Sequence, residues 1–359
     1  MPQIDVYFQT MLDHKGSDLH LSTGNPPIIR ISGEMEHLDA PNLEDGPLRE
    51  MLREICPDDK WAHFEKTGDV DFGYELPGKA RFRANFFVQK YGAAAVFRTI
   101  PSEVLTAEQL GLPEVCKKFA KLKKGLVLVT GPTGSGKSTT LAAMIDYANK
   151  TRSDHILTVE DPIEFVHKSH KALINHREVG LHTESFGSAL KGALREDPDI
   201  IVVGEMRDLE TITLAIEAAA TGHLVFGTLH TPSAAKTIDR IIDVFPANQQ
   251  NQIRTTLSEA VKGVIAQNLF KRIDKPGRVA ALEILVVDTP IGNIIREGKT
   301  HQIPGMLEVG KLKGNVPLDD AIMGHLEAGR IDAEEAFEKC INKKKFRPFL
   351  SREPEPWED

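Results

Sequence analysis

The feature that most restricts the fold is a nine-residue loop set between two patterned segments. GLVLVT, Gly125 to Thr130, is a short apolar run of strand length; GPTGSGKST, Gly131 to Thr139, follows at once; STTLAAMIDYANK then continues with helical spacing. A G-x-x-x-x-G-K-S match in that setting is a phosphate-binding loop. Gly131, Gly134 and Gly136 let backbone N–H groups curl inward around phosphate oxygens, where a side chain would obstruct or strain the turn. The helix N-terminus adds partial positive charge. Pro132, Thr133, Ser135 and Thr139 complete the loop, Lys137 is expected to reach the β- and γ-phosphates, and the Ser138 hydroxyl to coordinate Mg²⁺.

After Gly125 the text keeps this grammar. HILTVE, SFGSALKGALRED, IIVVGE, DLETITLAIEAAATG and HLVFGTLH alternate strand and helix patterns. Such alternation implies an α/β fold with a mainly parallel sheet, helices on both faces and ligands at the carboxyl ends of the strands. A long amphipathic stretch, Ala247 to Phe270, and an apolar strand, Val279 to Val287, complete this domain. From Ile4 to Ile100 the pattern differs: PPIIRISGEMEHL, GDVDFGYEL and ARFRANFFVQKYGAAAVFRTI place β-formers between Gly and Pro turns, the pattern of an α+β domain on an antiparallel sheet. The expected division is an N-terminal domain at 1–100, a proline-bounded linker at 101–116, the nucleotide domain at 117–289 and a helical region at 290–359 whose Pro- and Glu-rich tail frays.

Composition limits the function classes. A net charge of −8 disfavours a nucleic-acid-coating surface, so no nucleic-acid partner is expected. No apolar run approaches the roughly 20 residues of a membrane span and the opening MPQIDVYFQT has no secretion-signal pattern, so a cytoplasmic protein is expected. Cys56, Cys116 and Cys340 lie far apart without a C-x-x-C pair, which argues against a zinc site or a disulfide framework.

A bound triphosphate needs a carboxylate near its metal and a group to orient the attacking water. Three strand ends offer candidates. HILTVEDPIEF carries Glu160, Asp161 and, after a proline, Glu164; these acids either line the metal side of the site or form a turn or helix cap. LREDPDIIVVGEMRD delivers Glu205 at the same edge of the sheet, with Gly204 allowing close approach to the nucleotide, whereas Asp197 and Asp199 precede the strand and read as structural. TGHLVFGTLHT brackets a strand with His223 and His230; His223 reads equally as a surface histidine, and His230, at the carboxyl end, as a phosphate sensor or polar relay.

Taken in order, these segments resemble the hexameric secretion ATPases of type II secretion and type IV pili. LREDPDIIVVGEMRD fits that family's Leu-Arg, Pro-Asp, aliphatic strand, Gly-Glu and Arg-Asp signature; the phosphate loop, Ile156 to Phe165 and Thr221 to Thr231 match its Walker A, Asp and His boxes. GSDLHLSTGNPPIIRISGEM, Gly16 to Met35, looks like the start of its PAS-like N-terminal domain. The resemblance implies a RecA-like ATPase domain using ATP and Mg²⁺, with Ser138, Glu160 and Glu205 on the metal side, Glu205 orienting or deprotonating water, and Arg83 and Arg98 contacting phosphate. Arg81 competes with Arg83, and Arg278 is a further candidate.

PIGNIIREGKTHQIPGM, Pro290 to Met306, is similar to a stretch of the PilT-type pilus retraction branch, departing at Pro290 and at Gly292 where Arg is usual. The longer extension and secretion ATPases carry a further N-terminal domain and usually a four-cysteine motif. The resemblance therefore implies a homohexamer at the inner face of the cytoplasmic membrane, acting through the inner-membrane pilus platform protein and indirectly on pilin, to power pilus retraction and twitching motility. An accessory PilU-type role and, from the residues alone, a RecA-like nucleic-acid motor remain alternatives.

Overall fold

The computed structural model describes residues 2–31, 33–100, 103–353 and 355. Pro101 and Ser102 of the expected linker, and most of the tail beyond 353, lie outside the described residues. The chain divides into two units, one of Met1–Glu103 with Pro162–Val166, the other of Val104–Asp161 with His167–Asp359. The expected linker's described part thus falls almost wholly in the second unit, where EVCKKFA forms the helix Glu114–Ala120.

In the first unit, β1 (Asp18–Ser22), β2 (Ile28–Ile31), β3 (Glu34–His37), β4 (Asp69–Leu76), β5 (Ala80–Gln89) and β6 (Gly92–Ile100) form a six-stranded sheet. Its order is β3-β2-β1-β6-β5-β4, with every pairing antiparallel. Alternation along β5 buries Phe82, Ala84 and Phe86 and turns Arg83 outward. Those aromatics pack against the helix Asp5–Asp13, where Phe8 stacks on Phe82 at 4.3 Å between ring centroids and meets Phe97 edge-on at 4.9 Å.

The second unit is built on a seven-stranded sheet: β7 (Gly125–Thr130), β8 (His155–Glu160), β9 (Leu173–Glu178), β10 (Ile200–Val203), β11 (Leu224–Leu229), β12 (Val261–Lys271) and β13 (Arg278–Val286). The order is β13-β12-β7-β11-β10-β8-β9, parallel throughout except for β13. Helices cover both faces, which is why β7, β10 and β11 are buried along their whole length: Leu126 and Leu128 enter one core, Val127 and Val129 the other. Among the described residues no helix is long and apolar enough to cross a membrane. The three cysteines are buried free thiols.

Two elements differ from the sequence expectation. The stretch from Ala247 to Phe270 is not one amphipathic element: a helix, Gln250–Ala260, ends where β12 begins. Inserted between β7 and β13, VKGVIAQNLF is covered on both sides, so its apolar residues follow neither a strand alternation nor a helical period. Within it, Gly263 faces Phe119 so closely that a Cβ would lie 2.2 Å from that ring. LINHRE of β9 is an edge strand with a half-polar pattern and too weak a period to be read. After β13 the chain is a series of short helices around a small core of Phe270, Leu318, Ile322, Phe337 and Phe346.

Candidate functional site

β7 runs directly into the phosphate loop, and the helix Lys137–Thr151 leaves it. Gly131, Gly134 and Gly136 have φ of 141°, 78° and 85°. At Gly131 two demands coincide, since a Cβ there would also lie 2.3 Å from the Gln267 carbonyl oxygen. The helices that begin at Phe186, Leu209 and Ala234 are each capped by their own chain, through Ser185, Asp208 and Ser233. The loop's helix begins instead at Gly136, with no side-chain cap, so its first N–H groups stay available to an anion. Ser135 Oγ is buried within the loop without a hydrogen-bond partner. An orphan hydroxyl and a run of left-handed glycines are what a phosphate cradle requires.

Lys137 is folded over the loop, its Nζ donating to the carbonyls of Gly131 (2.9 Å) and Pro132 (3.0 Å). The same Nζ lies 3.5 Å from His230 Nδ1, and His230 Nε2 lies 2.9 Å from Glu205 Oε1. With Lys137 donating to Nδ1, the histidine donates to the carboxylate from Nε2. Glu205 is further ion-paired with Arg207. Three candidates from separate segments therefore form one line, Lys137, His230, Glu205, along the carboxyl ends of β7, β11 and β10.

The turn carrying Glu205 is fixed by its neighbours. Met206 N donates to the Thr228 carbonyl at 3.0 Å, and the Thr228 hydroxyl donates to the Gly204 carbonyl. Met206 lies over Gly227, where a Cβ would be 2.3 Å from its sulfur. Gly204, expected to admit the nucleotide, serves a different contact: a Cβ there would lie 3.1 Å from the Cα of Glu160 and from the Val159 carbonyl oxygen. Its lack of a side chain lets the ends of β10 and β8 come together, which sets Glu205 and Glu160 at adjacent strand ends.

Glu160 Oε1 is 3.9 Å from His176 Nδ1, a nitrogen that is also 2.8 Å from the Thr158 hydroxyl. His176 Nε2 accepts from the backbone N–H of His167, whose ring stacks on it at 5.9 Å. Burial, with the neighbouring His176, pushes the His167 imidazole down to about 4, so it is neutral at physiological pH. Asp161 is exposed, and its charge acts on Arg207. Ser138 and Thr139 are half-buried in the first helical turn. Among the described residues no group of three or more His, Cys, Asp or Glu is placed to hold a metal ion by itself.

Of the other candidates in this unit, His223 and Arg278 lie away from this line. His223 precedes β11 at its amino end, where its carbonyl accepts from Gly125 N and its Nδ1 meets the Ala218 carbonyl at 3.1 Å. The strand's length therefore separates it from the loop. Arg278 opens β13 opposite Lys271, beyond the point where β12 stops pairing with β7. Glu164 belongs to the segment grouped with the first unit, as do Arg83 and Arg98. The two arginines are directly opposite each other on β5 and β6, with Arg83 3.7 Å from Asp71 and Arg98 2.8 Å from the buried Asp18. Asp199 accepts from His155 N at 2.9 Å and Asp197 takes a left-handed φ of 52° before β10, both at the amino edge. Sequence reasoning missed Gln267, whose side chain reaches the phosphate loop; the polar residue within an otherwise apolar VIAQNLF was the available signal.

Residues 4–306 match the family model described as type II/IV secretion system protein. The chain is 55% identical over 324 residues to the type IV pilus retractation ATPase PilT of Pseudomonas aeruginosa, covering 90% of this chain and 94% of that one. A twitching motility protein of Neisseria gonorrhoeae is 52% identical, over 88% of this chain and 84% of its own length. The type IV pilus ATPase PilU of P. aeruginosa is 36% identical, over 93% and 87%. Among solved structures, that of the pilus retraction motor PilT with bound ADP superposes with a TM-score of 0.88 at 44% identity, covering 96% of this chain and 98% of the other.

Proposed function

Because this chain belongs to the type II/IV secretion system protein family, we propose that it is an ATP-hydrolysing motor of a type IV pilus, acting in the retraction that underlies twitching motility. The line Lys137–His230–Glu205 at the phosphate loop is the observation that carries this reading. The greater identity to the retraction ATPase than to PilU, 55% against 36%, favours the main retraction role over the accessory one.

In the proposed mechanism the loop from Gly131 to Thr139 binds the phosphates of ATP, Lys137 leaves its resting carbonyls to neutralise the β- and γ-phosphates, and Ser138 with Glu160 holds the metal side. Ser138 and Glu160 would hold Mg²⁺, which would supply neutralisation of the phosphate charge. Glu205 orients or deprotonates the attacking water, and His230, hydrogen-bonded between Glu205 and Lys137, relays the state of the phosphate position to the carboxylate. Arg83 and Arg98 are the cations we assign to transition-state charge by family resemblance. A homohexamer would act through the inner-membrane platform protein, from a peripheral position on the cytoplasmic face.

Deletion in the source organism with microscopy of its pili tests the reading. Hyperpiliated, non-twitching cells support retraction; cells without pili overturn it. Complementation restores twitching if this gene alone is at fault.

A further inference from the structure

We propose that Gln267, in the middle of β12, is a positioning residue that holds the phosphate loop in its binding shape from the neighbouring strand. Its primary amide is buried, 2% exposed, and both ends are used. Nε2 donates to the Ser135 carbonyl at 2.6 Å, and Oε1 accepts from the Thr140 hydroxyl at 2.7 Å. One side chain thereby ties the tip of the loop and the first turn of the helix after it to the same point of the sheet. The residue's backbone contributes too: its carbonyl occupies the space a Cβ at Gly131 would need, and its Nε2 lies 2.9 Å from the Cβ position of Gly136. Two of the loop glycines are thus required by Gln267 as well as by phosphate.

The consequence concerns the Ser135–Gly136 peptide. Anion binding by backbone N–H groups depends on those groups converging before the ligand arrives. The carbonyl of Ser135 belongs to the peptide unit whose N–H, that of Gly136, faces the other way, so the hydrogen bond from Nε2 selects one orientation of that unit. The Ser135 carbonyl, which can only accept, fixes which end of the amide faces the loop and leaves Oε1 to accept from the Thr140 hydroxyl. Without the amide the peptide can rotate, and nucleotide affinity falls while the groups acting on water stay in place.

The proposal rests on the nucleotide-binding reading above, and its test separates the two. Gln267→Met keeps length and volume but can neither donate nor accept in this geometry. In the full-length protein, the Kd of ADP carrying an N-methylanthraniloyl label should rise about tenfold, an effect of one lost orienting interaction. The KM for ATP should rise in parallel, with kcat within about threefold. An unchanged Kd, or a fall in kcat with KM unaltered, would overturn the positioning role. Should Gln267→Met not fold, Thr140→Val, near-isosteric and β-branched in both forms, is the second probe. It should raise the Kd about threefold, and no change there equally sinks the proposal. If the unaltered protein binds no ADP, the nucleotide reading itself fails first.

Discussion

Glu205 does its work through its company. Alone at the end of an aliphatic strand it could be a turn residue; the 2.9 Å contact to His230 and the ion pair with Arg207 aim it at the phosphate loop. Glu205→Gln should therefore lose at least about 100-fold in kcat, measured as phosphate release, while binding labelled ADP as before. Equal turnover would sink the assignment of the base. His230→Asn should weaken turnover without that completeness, by about tenfold, because the carboxylate remains. Glu283, on β13, is a buried carboxyl of another kind. Burial pushes its carboxyl above the usual range, against the N–H donated by Ala234 at 2.7 Å, with nearby Asp319 adding to the rise. A raised carboxyl pKa means that folding binds a proton more tightly, so stability falls as pH rises from the ordinary carboxylate range through the raised value. Glu283→Gln can still accept from Ala234 and should flatten that fall; a lower unfolding midpoint than the parent at pH 7.5 would show that the negative charge itself is needed.

At the level of elements the helix starts differ: those at Phe186, Leu209 and Ala234 are capped by their own chain, and the one after the phosphate loop is not. Asp208 caps Leu209–Thr221, accepting from Thr211 N at 2.8 Å and from the Thr211 hydroxyl at 2.7 Å. Burial works to raise its pKa, but these bonds outweigh it and hold the carboxyl below its ordinary value. Its contribution is present above the ordinary carboxylate range and disappears as pH falls through the lowered value. Asp208→Ala should cost about 1 kcal/mol at pH 7, read from denaturant unfolding, and the difference should narrow as pH falls below the ordinary carboxylate range. The helix from Lys137 has no such cap to lose. Gly131→Ala should abolish nucleotide binding outright, because the added methyl meets the Gln267 carbonyl. The pattern of short apolar strands separated by helices was legible because both faces of β7, β10 and β11 are covered. β9 and β12 were not, one being a half-polar edge and the other continuous with an amphipathic helix.

For the whole molecule, the two units carry different charge logic. In the first, Asp18 sits between Arg98 and Arg30, and although burial favours its neutral form, the Ser17 hydroxyl and the Arg98 guanidinium keep its pKa lowered. Arg98 therefore already has a partner, and its assignment to phosphate requires that it exchange or share Asp18. The proposed motor predicts a sixfold oligomer: sedimentation of the intact protein with ADP should give that mass, and a strictly monomeric chain with full, protein-concentration-independent ATPase activity would refute the assembly. Arg83→Ala and Arg98→Ala should each lower kcat by tenfold or more if they meet transition-state charge, and leave it within about twofold if they only pair with Asp71 and Asp18.

The sequence by itself determined the phosphate loop, the parallel-sheet class and the strand ends that could carry acids and histidines, because those depend on local spacing and on which residues tolerate a left-handed turn or a buried strand. It set His230, at a strand's carboxyl end, apart from His223, but could not separate a Gly204 that admits a nucleotide from one that admits a strand. Only the tertiary structure decided the role of Gly204, through the close approach of β10 to β8, and only the order β7-β11-β10 brings Lys137, His230 and Glu205 into one line. Gln267 reaches its loop across 132 residues of chain, and such a contact exists only where β12 lies beside β7.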